Sequence, residues 1–289
     1  MALVRAAETL WYRGYPDQAL ERAHHGLSVA QALRHPLSLA VILDVVVRVH
    51  LCRREGQEAL AHAEALLTLA HEHGFAQWLG WGTGLRGWAL IECAARSETQ
   101  EQREAGLVQL QDGLAAVQAI GVELWVPLFL SAVAQGSAQG GQAEEGLRVI
   151  AEALAMVEKN GERWNEAELY RIKGELTLQQ SRASLGQVSD KSQTGQEQSE
   201  TPKSQILNPQ CPAEAEACFL KAIAIAQKQQ AKSWELRAAT SLARLWQQQN
   251  KHADAHQLLA EVYNRFTEGF ETRDLLDAKA LIDELLSVR

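Results

Sequence analysis

A glycine-led phrase recurs along this chain: "GYPDQALERAHHGLSVA" at 14–30, "GQEALAHAEALLTLA" at 56–70 and "GQAEEGLRVIAEALAMV" at 141–157. Each copy opens on glycine and places a small residue five positions later, at Ala19, Ala61 and Gly146. The same slot can be traced at Gly106, Ala215 and Ala255, so the successive intervals run 42, 45, 40, 69 and 40. A unit of this length is one supersecondary element that cannot bury its apolar face alone, so the chain must stack its units side by side. Within the units the apolar residues keep helical spacing, as in Leu107, Leu110, Leu114 and Val117, and again in Leu147, Ile150, Leu154 and Val157. A second helix is predicted before each of these, over 37–53, 78–94, 123–138, 164–180 and 233–249, with glycine or Asn250 supplying the turn. No segment alternates as a strand does. The pattern predicts an all-α chain of about six helical hairpins in a right-handed superhelix, closed by a capping helix near 272–287.

The interval of 69 contains "SRASLGQVSDKSQTGQEQSETPKSQILNPQCP" (181–212), dominated by serine and glutamine. That composition buries too little apolar surface to offset its ordering entropy. The segment therefore reads as a disordered polar insertion in one continuous array. Residues 1–180 hold hairpins one to four and the first helix of hairpin five, and residues 213–289 hold its second helix, hairpin six and the cap.

Hairpins with Ala215-x3-Phe219-x2-Ala222-Ile223 in the second helix and Leu242-Ala243-x2-Trp246 in the first resemble the tetratricopeptide repeat. The phrases "GFAQWLGWGTGLRGWAL", "GERWNEAELYRIKGELTLQQ" and "QQAKSWELRAATSLARLWQQQNK", with the longer period, resemble the C-terminal array of large bacterial signalling proteins. In that group an ATPase module precedes the array, and a class III nucleotide cyclase or a kinase domain often lies further upstream. The resemblance implies an α-solenoid without catalytic activity of its own, a protein–protein interaction or regulatory scaffold. It would bind a protein or peptide partner, with such an ATPase or cyclase module as one candidate. The alternative it implies is a detached C-terminal fragment of a cyclase or ATPase regulator, or the regulatory segment of a transcription activator, with catalysis on a missing part.

Bulk chemistry narrows the partners. A net charge of −8 disfavours non-specific nucleic-acid binding, which needs basic surface. No stretch is apolar enough to span a bilayer, and the N-terminus lacks a signal-peptide core, so a cytoplasmic location without membrane contact is the default expectation. Cys52, Cys93, Cys211 and Cys218 form no C-x-x-C pair.

Gly82-Thr83-Gly84-Leu85-Arg86-Gly87 has the G-x-G-x-x-G spacing of a dinucleotide-binding turn. That motif requires a preceding strand, and none is predicted here. The glycines read instead as points of close helix packing beside Trp78, Trp81 and Trp88. No P-loop sequence occurs, so no nucleotide cofactor is expected. His71 and His73 are two apart and His24 and His25 are adjacent, so neither pair shares a helix face, and no metal ligand set is expected.

A partner would enter the concave face, lined by the first helix of each hairpin. In the family's register the groove column reads Glu8, His50, Trp88, Gln135, Glu175 and Arg244. Arg53, Arg54, Glu92, Arg171 and Gln248 flank it. Arginine grips carboxylates through paired hydrogen bonds, so Arg53, Arg54, Arg171 and Arg244 are the expected anchors, with Glu92 and Glu175 as internal competitors.

Overall fold

The computed structural model describes residues 2–97, 99–191 and 210–287. Thirteen helices and no strand occur among the described residues. In chain order these are α1 (Ala2–Tyr12), α2 (Pro16–Leu33), α3 (Pro36–Cys52), α4 (Gly56–His73), α5 (Ala76–Ser97), α6 (Gln100–Ala119) and α7 (Val126–Gln139). They continue with α8 (Ala143–Asn160), α9 (Glu166–Lys191), α10 (Gln210–Gln229), α11 (Lys232–Gln248), α12 (His252–Tyr263) and α13 (Arg273–Ser287). Consecutive helices pack together throughout. The backbone of each odd-numbered helix also approaches that of the next odd-numbered one, whereas the backbones of even-numbered helices approach only those of their chain neighbours. The odd helices thus form an inner layer and the even helices an outer one.

The outer helices share one buried face. Its positions step by four, three and four, the spacing that keeps side chains on one side of a helix. The face reads Ala19, Ala23, Gly26, Ala30 on α2 and Ala59, Ala63, Leu66, Ala70 on α4. It continues as Gly106, Leu110, Gly113, Val117 on α6 and Gly146, Ile150, Ala153, Val157 on α8. Ala215, Phe219, Ala222 and Ala226 repeat it on α10, and Ala255, Leu259 and Val262 on α12. The small residue of the second unit is therefore Ala59. Ala61, placed there by counting from the glycine, is exposed. The first two intervals become 40 and 47 in place of 42 and 45.

Glycine carries the closest approach. A Cβ on Gly87 of α5 would collide with the Leu110 amide nitrogen and the Gly106 carbonyl oxygen of α6. One on Gly113 would collide with the Gly84 nitrogen, and with the Gly80 carbonyl oxygen at 2.6 Å. Gly84 also receives the Phe129 ring from α7, 2.6 Å from its hypothetical Cβ. Two members of the nucleotide-like motif are thus occupied by backbone and ring contacts, in mid-helix rather than in a turn after a strand. The third, Gly82, faces the Leu67 side chain.

The two ends of the chain meet. The Ser233 hydroxyl donates to the Trp11 carbonyl oxygen at 2.5 Å, and Trp11 meets Trp234 edge-on at 4.7 Å, so the end of α1 abuts the start of α11. Glu268 Oε1 accepts the backbone N–H groups of Asp17 and Gln18, both at 3.0 Å, capping α2 from the far end of the sequence. Asp17 Oδ2 accepts from the Gly269 amide at 2.8 Å in return. Trp125 and Trp164, from the turns before α7 and α9, meet edge-on at 4.8 Å, and Tyr12 touches both Trp164 and Trp234. The tryptophans thus join units distant in sequence as well as neighbours.

The polar segment at 181–212, expected to interrupt the array, is helical at both edges. α9 runs on to Lys191, because "SRASLGQVSDK" contains no proline to stop it, and α10 begins at Gln210. The remainder, 192–209, lies outside the described residues.

The glycine contacts separate by what each added methyl would meet. Gly87→Ala and Gly113→Ala force two backbones apart and should each cost about 1–3 kcal/mol by overpacking. Gly82→Ala meets only leucine side chains, Leu67 at 3.0 Å and Leu66 at 3.5 Å, and no backbone. It gains up to ~1 kcal/mol of helix propensity and should be neutral or stabilising. Urea denaturation of the three variants checks the order.

Candidate functional site

The inner helices enclose a cavity of about 220 Å³. Leu51 of α3, Trp88 and Glu92 of α5, Ser131 and Gln135 of α7, and Glu168, Arg171 and Glu175 of α9 line it. Trp234, Arg237 and Arg244 of α11, Asp274 and Asp277 of α13, and Arg54 after α3 complete the wall. Seven of the ten residues expected to bind a partner therefore converge here: Arg54, Trp88, Glu92, Gln135, Arg171, Glu175 and Arg244.

Three do not. His50 is buried with its Nδ1 2.7 Å from Glu55 Oε2, against α2 and α4 rather than the cavity. Arg53 donates to Glu55 Oε1 at 2.7 Å, to the Pro16 carbonyl at 2.7 Å and to Asp17 Oδ1 at 3.0 Å. Gln248 accepts from Arg182 at 2.7 Å, away from the wall. The two-position slip at Ala59 accounts for His50. With the register corrected, the inner position equivalent to Glu8 and Trp88 is Arg48, and a shift by two turns a side chain about 200° around a helix.

Arg48 belongs to a network of which sequence spacing reveals only the Asp44–Arg48 pair, one turn apart on α3. Its Nε lies 2.6 Å from Glu8 Oε1 and its Nη1 2.5 Å from Asp44 Oδ2, while the guanidinium covers the Trp125 ring at 4.2 Å. Asp44 Oδ1 is buried without a hydrogen-bond partner among the described residues. Burial pushes the Asp44 carboxyl up to about 6, against the pull of Arg48 and with the help of Glu8. Arg237 stands over both the Trp11 and Trp234 rings, at 5.1 and 5.0 Å, and donates to the Cys52 carbonyl at 2.6 Å. This aromatic and arginine cluster closes the cavity on the Trp234 side.

The cavity holds four arginines against five carboxylates. Arg171 is engaged on all sides: Nε and Nη2 donate to Glu168 at 2.7 Å each, and Nη1 lies 2.6 Å from Glu175. Burial alone would raise the Glu168 carboxyl, but Arg171 and Arg237 outweigh it and hold it below the usual range. Arg237 Nε reaches Asp274 at 2.7 Å. Arg54, at φ +62°, sits 3.5 Å from Asp277, 3.7 Å from Asp274 and 3.9 Å from Glu92. Burial raises the Glu92 carboxyl, and Arg54 and Arg237 offset that only in part. Arg244 is exposed and makes no ion pair with a described residue. The Trp234 indole N–H is buried without an acceptor among the described residues.

No protein-family model and no curated protein matches this chain. No helix among the described residues is long and apolar enough to cross a membrane.

A second group gathers outside the cavity. His24 of α2, His50 of α3 and His62 of α4 bring one ring nitrogen each to within 4.8 Å of one another. Comparison of His24 with its chain neighbour His25 misses this, because the partners of His24 lie on two other helices.

Asp44 makes stability depend on pH in a stated direction. Its folded proton affinity exceeds the unfolded one, so its contribution is full below about pH 4 and lost as pH rises through about 6. Relative to Asp44→Asn, the parent should lose stability on the order of 2–3 kcal/mol between pH 4 and 7. Denaturation curves for both proteins at several pH values test this; parallel profiles would refute it.

Proposed function

We propose that this chain is a non-catalytic interaction module, a right-handed superhelix of tetratricopeptide-like units, and that its central cavity receives a carboxylate-bearing chain terminus or short acidic segment of a protein partner. The carrying observation is one cation and two indole donors left over in the same wall. Among the described residues Arg244 has no ion pair, and the Trp88 and Trp234 N–H groups are buried without an acceptor. A buried donor left unsatisfied costs free energy that a ligand oxygen can recover. The recurrence of the buried outer face on six helices, and the inner layer of odd helices, support the repeat reading.

Size and charge restrict the ligand. A volume near 220 Å³ is below that of ordinary small-molecule pockets and suits an inserted terminus better than a peptide laid along a groove. Most of the arginine charge is neutralised within the wall, so attraction is local to Arg244. Arg171, expected as an anchor, is assigned here to holding α9, because Glu168 and Glu175 already occupy its donors. The upstream ATPase or cyclase modules implied by the family resemblance are the partner class to examine, and the reading of the chain as the regulatory part of such a protein is compatible with the same site.

Peptides ending in a free carboxylate should bind, and their carboxamide counterparts should bind more weakly, in a titration followed by tryptophan fluorescence. Arg244→Ala should retain helicity and weaken binding by about 1–3 kcal/mol. Arg171→Ala should instead destabilise the fold by about 3 kcal/mol, since it leaves the buried Glu168 carboxylate with only Arg237 as an ion-pair partner among the described residues, at 3.4 Å. Equal binding of both peptide forms, or undiminished binding by Arg244→Ala, would refute the assignment.

A further inference from the structure

His50 is 4% exposed, and its Nε2 is buried without a hydrogen-bond partner among the described residues. Its Nδ1 faces Glu55 Oε2 at 2.7 Å. A carboxylate only accepts, so the proton of a neutral ring sits on Nδ1 and the lone pair on Nε2. The orphaned nitrogen therefore has a fixed tautomer and nothing to bond to. Around it stand the other two rings, His62 at 5.4 Å and His24 at 5.6 Å between centroids.

We propose that His24, His50 and His62 bind a single divalent transition-metal ion, Zn²⁺ foremost, with Glu55 as the positioning residue that orients His50. The donor set is all imidazole, which suits Zn²⁺ and excludes Ca²⁺ and Mg²⁺ as preferred ions, since these want oxygen ligands. A carboxylate behind a ligating histidine is the usual outer partner of such sites.

Geometry permits closure. The three ligand nitrogens lie within 4.8 Å of one another, and Zn–N bonds of about 2.0–2.1 Å require them somewhat closer. His24 is exposed and His62 half-buried, so both rings can turn toward His50, which is fixed. Arg53 is the opposing charge, yet Glu55 and Asp17 already pair with it. Three protein ligands leave one position to water. The ion would tie α2, α3 and α4 together at the N-terminal part of the fold.

The test uses untagged full-length protein, stripped of metal with a chelator and titrated with Zn²⁺ by calorimetry, and with Co²⁺ by visible absorption. One equivalent of Zn²⁺ should bind and raise the unfolding temperature, and Co²⁺ should give the intense visible bands of a tetrahedral site. His24→Ala and His62→Ala, chosen because neither is fully buried, should each weaken Zn²⁺ binding by at least about tenfold, and Glu55→Gln by about ten- to a hundredfold. A control with both His71→Ala and His73→Ala should bind as the parent does. Absence of Zn²⁺ binding, or binding by His24→Ala and His62→Ala equal to the parent's, would overturn the proposal.

Discussion

The fold depends on how closely two helix backbones can approach. Where Gly87 lies on Gly106 and Gly84 on Gly113, α5 and α6 leave no room for a single methyl group. The other outer helices reproduce that seam with alanine at most of the same positions, widening to Phe219 on α10, whose ring packs where Gly174 of α9 makes space. Dispersion falls off steeply with separation, so close contact along a whole seam replaces the large apolar side chains of an ordinary core. Tight pairs are thin, and thin pairs leave the inner helices free to converge around one axis.

What converges there is mostly charge, and its arrangement explains why an arginine-rich wall is not a general anion trap. Arg171 and Arg237 share Glu168, while Arg237 and Arg54 share Asp274. Each buried carboxylate is compensated by a cation, as burial demands. Such a network fixes the relative placement of α9, α11 and α13 and surrenders its ligand-binding capacity in doing so. Of the arginines in the wall, Arg244 stands outside the network, and its charge remains for something else.

The helices, their order and the close-packed glycines were legible in the sequence because they follow from spacing within one helix. The cavity was legible in part for the same reason: Trp88, Gln135, Glu175 and Arg244 follow from a repeat counted correctly. His50 shows how the method fails. The glycine that opens the second unit, Gly56, lies inside α4, whereas Gly14 and Gly141 lie in the turns before their helices, so counting from it shifts the register by two. Asp44 and Arg48 are one turn apart on α3, but the histidine trio and the Glu8–Arg48 pair depend on contacts between helices, and no periodicity of a single chain segment encodes those.

The capping of α2 by Glu268 has a consequence for the history of such a chain. Tandem repeats readily gain and lose whole units by duplication and deletion, and an open array tolerates this because each unit needs only its neighbours. Here Trp11 must find Trp234, and Asp17 must find Gly269. Inserting or removing one unit between them would carry those partners around the axis, out of reach. The reciprocal contact thus acts as a length gauge: sequence may drift within units, but their number is held.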